Sequence, residues 1–179
     1  MKKFLDSVFE LLRIVILALI IVLPIRFFIF QPFIVKGASM EPNFREGDYL
    51  IVDEISYRFR EPKRGEVVVV KSPLSPSRFI KRIVGLPGEK IEIKEGKIFV
   101  EKEGKIQALK EPYLTNLNFD NREYRFELKE NEYLILGDNR NFSLDSRYFG
   151  PINKKLIVGR VVLRLWPIKS ISKIEIPNY

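Results

Sequence analysis

The chain of 179 residues carries 31 Lys and Arg against 23 Asp and Glu, a formal charge of +8, and contains neither histidine nor cysteine. Those absences exclude disulfides, thiolate metal centres, cysteine nucleophiles and every catalytic pair that uses an imidazole as base. The length suits one hydrophobic core with an extension; because basic residues alternate with acidic ones and never run beyond two, the charge fits attraction to anionic lipid, and no nucleic-acid partner is expected.

After Met1-Lys2-Lys3, the stretch from Val8 to Phe30 is apolar apart from Glu10, Arg13 and Arg26. It reads as a transmembrane helix, although the uncharged part, Ile14 to Ile25, falls short of the ~20 residues a span needs unless Arg13 and Arg26 snorkel to the two interfaces. A buried core helix and a cleavable signal peptide are the alternatives. The bulky residues from Pro24 to Pro32 offer no small-x-small cleavage site, so the segment is expected to be retained. Pro24 is placed to end or kink the helix, with Phe27, Phe28, Phe30 and Phe33 along the lipid interface. Lys2, Lys3 and Arg13 at its start leave the amino terminus cytoplasmic by the positive-inside rule. The expected organisation is therefore a transmembrane anchor and interfacial segment over 1–30 and an extracytoplasmic β-rich domain over 31–179, in a single-pass protein of the cell membrane.

Beyond Gln31, short apolar runs are punctuated by Gly, Pro and charged turns, which predicts a mainly β, antiparallel fold. Strands are expected at Tyr49 to Val52, Glu66 to Val70, Phe79 to Val84, Glu132 to Leu136 and Leu156 to Leu165, and the uninterrupted valines mark a fully buried one. Lys90 to Ile93 and Lys97 to Val100 flank Lys94-Glu95-Gly96 as a hairpin, and Glu103-Gly104 supplies a second turn. The polar, irregular stretch from Leu109 to Arg125 reads as a surface excursion.

A serine hydroxyl is a weak nucleophile at neutral pH and needs an adjacent base. With histidine absent, a lysine kept neutral by a dry pocket is the sensible partner, and the candidate pair is Ser39 and Lys81. In Phe79-Ile80-Lys81-Arg82-Ile83, strand alternation puts Lys81 on one face with Phe79 and Ile83, where desolvation disfavours the ammonium. Ser39 sits among small residues before Met40-Glu41-Pro42, a loop able to expose a hydroxyl. Taken singly, Lys81 also fits a solvated surface lysine, Ser39 a turn or capping serine, and Gly137 to Arg147 a structural network of Asx turns and ion pairs.

Five ordered motifs choose between these readings. They are the apolar amino terminus; Gly37-Ala38-Ser39-Met40-Glu41-Pro42 with Gly47-Asp48; Arg64 to Lys71; Phe79 to Glu89; and Gly137-Asp138-Asn139-Arg140 through Ser143, Asp145, Ser146 and Arg147. In this order, over almost the whole chain, the sequence resembles the type I signal peptidases, membrane-bound serine proteases that remove signal peptides from exported preproteins.

The resemblance implies that Ser39 is the acylating nucleophile, Lys81 the general base and Ser143 the hydroxyl that orients the lysine, with Asp138, Asp145, Arg82 and Arg147 in support. Since a carboxylate touching Lys81 would raise its pKa, the aspartates should pair with the arginines. The place two before the nucleophile, where some members carry a second oxyanion donor, is Gly37, which leaves the Ser39 N–H as donor. Asn43 stands where the family commonly has threonine, a change expected to keep a local polar contact. Phe33, Val35 and Ile80 would wall shallow pockets for small side chains at positions −1 and −3 of a signal peptide, and an extended substrate would pair with strand edges near Gln31 to Lys36 and Phe79 to Lys81. Preproteins and membrane lipid are the implied partners, and no cofactor or metal is implied. Two other readings stay open: a Ser-Lys protease of the self-cleaving repressor type, disfavoured by the anchor and the missing helix-turn-helix, and a non-catalytic membrane-anchored β domain, which would tolerate loss of Ser39 or Lys81.

Overall fold

Valine- and isoleucine-rich runs become strands in the computed structural model of the chain, which describes residues 2–24, 30–114 and 122–177. In chain order the strands are β1 (Phe30–Ile34), β2 (Tyr49–Asp53), β3 (Val67–Lys71), β4 (Arg78–Gly85), β5 (Lys90–Lys94), β6 (Lys97–Lys102) and β7 (Lys105–Ala108). They continue with β8 (Tyr124–Glu127), β9 (Glu132–Leu136), β10 (Ile152–Asn153), β11 (Ile157–Trp166) and β12 (Ser172–Lys173). Every pairing is antiparallel. The larger sheet runs β1-β2-β11-β3-β4-β9-β10 with β12 on β11, and the smaller runs β7-β6-β5-β8. The expected mainly antiparallel β fold is the observed one.

The unbroken valines of β3 are explained by burial on both faces: Val67 and Val69 join Val35, Met40, Leu50 and Ile80 in one core, while Val68 and Val70 join Ile83, Tyr133 and Ile135 in another. A third core joins the two sheets, packing Val84, Leu134 and Leu136 against Ile91, Ile98, Val100 and Leu128. Arg64 crosses the same junction, donating to the carbonyl of Val84 and to Glu89, whose second oxygen accepts from the Leu86 N–H at 2.9 Å. Both expected hairpin turns form, with positive φ at Glu95 and Gly96 and again at Glu103 and Gly104, as tight primed turns require.

For the site, two edges matter most. Among the described residues strand β1 pairs only with β2 and closes one end of the larger sheet. In β4, Arg82, Ile83 and Gly85 pair with β9, whereas among the described residues Arg78 to Lys81 pair with β3 alone, which leaves their other edge open there.

Two expectations change here. The amino terminus is helical, as α1 (Lys2–Pro24), but among the described residues no helix is long and apolar enough to cross a membrane. Glu10 and Arg13 interrupt its apolar surface, and the uncharged turns from Ile14 to Pro24 span roughly 16 Å at the helical rise, about half the hydrocarbon thickness. Ile25, expected at the end of the span, and Arg26, Phe27 and Phe28, expected at the interface, lie outside the described residues, as do Asn116, Asn118 and Asn121 of the expected excursion. That excursion is also not wholly superficial: Glu111 and Tyr113 turn inward, and Tyr124 and Arg125 belong to β8.

Candidate active site

Ser39 lies in the loop between β1 and β2, whose ends are tied by the Val35 N–H to the Asp48 carbonyl and the Gly47 N–H to the Val35 carbonyl, both at 3.0 Å. Met40, fully buried in the core beneath, pins the loop from below. Lys81 stands on β4 opposite Val68 and is 3% exposed. Its Nζ is 2.7 Å from Ser39 Oγ and 3.0 Å from the carbonyl oxygen of Ile80, and 5.4 Å from the centre of the Phe79 ring.

Burial pushes the Lys81 ammonium down from 10.5 to about 8; Asp145 and then Asp138 pull it back, and Arg147 opposes them. Desolvation wins because neither carboxylate touches the amine. Asp138 is held by both Nε and Nη2 of Arg82, at 2.8 and 2.7 Å, and also accepts from Asn43 at 2.8 Å. Asp145 accepts from Arg147 Nε and Nη2, each at 2.9 Å, and from the Gly137 N–H at 3.0 Å. Each aspartate thus spends its charge on a forked guanidinium, whose geometry matches a carboxylate, rather than on the amine. An amine of this kind, deprotonated, accepts the proton of a hydroxyl at hydrogen-bond distance and so activates it as a nucleophile.

The segment after β9 closes over Ser39. The Asn139 N–H donates to the Ser39 carbonyl and its amide to the Ala38 carbonyl, both at 3.0 Å. A Cβ at Gly137 would collide with the Ser143 side chain and the Ser39 carbonyl oxygen, so only glycine permits this approach. The hydrogen bond expected between Ser143 and Lys81 is not among those formed. Ser143 Oγ is buried without a partner among the described residues, because the Lys81 amine is turned to Ser39 and Ile80 instead. Among the described residues the Ser39 N–H donates no hydrogen bond, which leaves it available to an oxyanion.

A cleft of about 470 Å³ leads to the pair, lined by Phe33, Ile34, Ser39, Phe79, Ile80 and Lys81 among others. Of the three residues expected to wall pockets for the substrate, Phe33 and Ile80 line this cleft and Val35 is not among its lining residues. Along Gln31 to Val35 alternate side chains turn inward, and Val35 is fully buried in the core cluster that contains Ile80. Among the described residues no group of three or more Asp, Glu, His or Cys side chains is arranged to hold a metal ion.

Sequence reasoning missed Glu111 and Tyr113. Glu111 forms a buried ion pair with Arg140, and the Tyr113 ring lies 4.0 Å from the Arg82 guanidinium. The signal was available in Arg140, a buried cation in a motif otherwise balanced by Asp138 and Asp145, which needed a carboxylate from elsewhere.

Comparison with known proteins gives matches that extend over most of the chain. The sequence matches the family described as signal peptidase, peptidase S26, over residues 8–166. A probable signal peptidase I-2 of Synechocystis sp. is 36% identical over 91% of this chain and 75% of its own length. The signal peptidase I of Bacillus licheniformis is 31% identical over 95% of both chains, and signal peptidase IB of Staphylococcus aureus (strain COL) is 34% identical over 95% of this chain and 94% of its own. A crystal structure of a signal peptidase I from Enterococcus faecalis V583 superimposes with a TM-score of 0.49 and 28% identity, covering 56% of this chain and 97% of that one. With residues 8–166 matched and relatives 31 to 36% identical along most of its length, the chain belongs to the signal peptidase family, peptidase S26.

Proposed function

We propose that this chain is a membrane-bound serine endopeptidase that removes amino-terminal signal peptides from exported preproteins, with Ser39 as nucleophile and Lys81 as general base. The observation that carries the reading is the 2.7 Å contact between Lys81 Nζ and Ser39 Oγ, in a setting where burial holds the amine near 8. Neutral Lys81 takes the Ser39 proton as Oγ bonds to the scissile carbonyl carbon, and the Ser39 N–H receives the oxyanion. Collapse breaks the C–N bond, and the lysine gives its proton to the departing amine. Water, deprotonated by the same lysine, then hydrolyses the acyl-enzyme. Arg82, Asp138, Asp145 and Arg147 hold the surrounding loops while keeping carboxylates off the amine.

An extended signal peptide adds to the open edges of β1 and of Arg78 to Lys81, which face one cleft. Phe33 and Ile80 leave room there for small side chains at −1 and −3. The test is incubation of a preprotein with the detergent-solubilised protein and sequencing of the new amino terminus. Cleavage after a small-x-small site is expected; uncut precursor, or cleavage after bulky residues, would overturn the reading.

Ser143 acts in this scheme by receiving a hydrogen bond from neutral Lys81 and aiming its lone pair at Ser39. Its buried, unpartnered Oγ supports that role, since an unsatisfied hydroxyl costs about 1–3 kcal/mol and needs a functional reason. Ser143→Ala should lower kcat by roughly 10-fold to 100-fold with little change in KM, without lowering the melting temperature. Unchanged turnover would remove Ser143 from the mechanism.

Residues 1–30 act as the anchor, with the amino terminus cytoplasmic and the catalytic domain outside. Every described side chain of α1 from Ser7 to Ile20 is exposed, so this stretch finds no apolar partner among the described residues, and in the sequence Arg13 and Arg26 flank the uncharged run at positions from which snorkelling extends its reach. Protease added to intact spheroplasts should digest the domain from Gln31 onward. Complete protection until lysis would reverse the orientation.

A further inference from the structure

Glu111-Pro112-Tyr113 follows β7 of the smaller sheet and touches all three segments that carry the proposed chemistry. Glu111 accepts from both terminal nitrogens of Arg140, and the two side chains are 7% and 3% exposed. Arg140 passes that restraint on: its Nε donates to the Gly137 carbonyl at 3.0 Å, and its own carbonyl accepts from Arg147 at 2.6 Å. Gly137 is the residue at which Ser143 and the Ser39 carbonyl approach too closely for any Cβ. Tyr113 reaches the other two segments. Its ring covers the Arg82 guanidinium at 4.0 Å, and its carbonyl accepts from Asn43 of the Ser39 loop at 2.9 Å. Its hydroxyl donates to Glu111 at 2.7 Å, locking the two together.

We propose that Glu111 and Tyr113 are positioning residues, a clamp extended from the smaller sheet that fixes the Gly137 to Arg147 segment, β4 and the Ser39 loop against one another. The proposal rests on the peptidase reading above. Neither residue contacts Ser39 Oγ or Lys81 Nζ in the hydrogen bonds of the site; each acts through Arg140, Arg82 or Asn43. An acceptor is needed at this place because a buried guanidinium loses its hydration and must recover it from a charged or polar group. Small displacements of reacting groups cost rate far more than they cost substrate binding.

The experiment compares wild type, Ser39→Ala, Glu111→Ala, Glu111→Gln and Tyr113→Phe, measuring kcat and KM on a preprotein, thermal melting, and amide hydrogen exchange across 137–147. Glu111→Ala should lose kcat by roughly 10-fold to 100-fold, with KM nearly unchanged and faster exchange in that segment. Glu111→Gln should recover most of both, because its amide oxygen still accepts from Arg140. If Glu111→Ala does not fold, Tyr113→Phe, which removes only the hydroxyl on Glu111, should show a smaller shift in the same direction. Wild-type kcat and exchange in these variants would overturn the clamp. So would an equal loss in Ala and Gln that merely follows the fall in folded fraction. If wild type itself leaves the precursor uncut, as Ser39→Ala does, it is the peptidase reading that fails, and the clamp is then decided by the exchange data alone.

Discussion

Ser39→Ala and Lys81→Ala are each expected to lower kcat on a preprotein by about 10⁴-fold or more, with the double variant scarcely worse than either single one. The reason is the shared proton. Ser39 Oγ attacks only as its proton leaves, and the 2.7 Å contact makes Lys81 Nζ the acceptor within reach. Removing either member leaves the other without a task, so the losses do not add. Residual turnover would come from the Ser39 N–H and substrate positioning alone, which require the backbone but neither side chain. The fold should survive both changes: Ser39 is only half-buried, and Lys81→Ala removes a charge that burial disfavours. The check is single-turnover cleavage of a preprotein beside thermal melts of all three variants. Normal turnover by either single variant, or a double variant slower by the product of the two losses, would exclude a coupled pair.

What could be read from sequence was what short-range chemistry dictates. The Glu-Gly steps at 95–96 and 103–104 set both hairpins, and β-branched runs marked β2, β3, β4, β9 and β11 to within a residue or two at most ends. Strand alternation placed Lys81 among apolar neighbours. Strands β10 and β12, each two residues long, carry no periodicity to detect. Long-range placement was the other loss. Polar character from Leu109 onward predicted exposure, yet Glu111 is buried because Arg140, far along the chain, draws it in. The resemblance implies Val35 as a wall of the substrate pocket; just after β1 it is fully buried in a core cluster, a depth that sequence does not carry. That the aspartates pair with the arginines and not with Lys81 is expected on charge grounds, because a neutral lysine requires it; that Asp138 takes Arg82 and Asp145 takes Arg147 is set by the fold.

The same burial that makes Lys81 a base should appear as a cost in stability. Its folded pKa, about 8, lies below the unfolded value near 10.5, so between these pH values the unfolded chain binds more protons and stability rises with pH. Below about 8 both states are protonated and the full cost is present, on the order of 3 kcal/mol. Lys81→Met, similar in length and uncharged, should therefore melt at a higher temperature than wild type at pH 7, and the difference should shrink as pH rises toward 10. Comparing two pH values cancels whatever the substitution does to packing or to the Ile80 carbonyl, which loses a donor at both. Activity follows the same titration in the same direction: kcat/KM of the wild type should fall about tenfold per pH unit below 8 as Lys81 gains its proton. Melting curves of wild type and Lys81→Met at pH 7 and pH 10, set beside the cleavage profile, test both consequences of one buried amine. A stability difference independent of pH would mean that Lys81 keeps an ordinary pKa, and cleavage that stays level from pH 8 to pH 6 would mean that it is not the base.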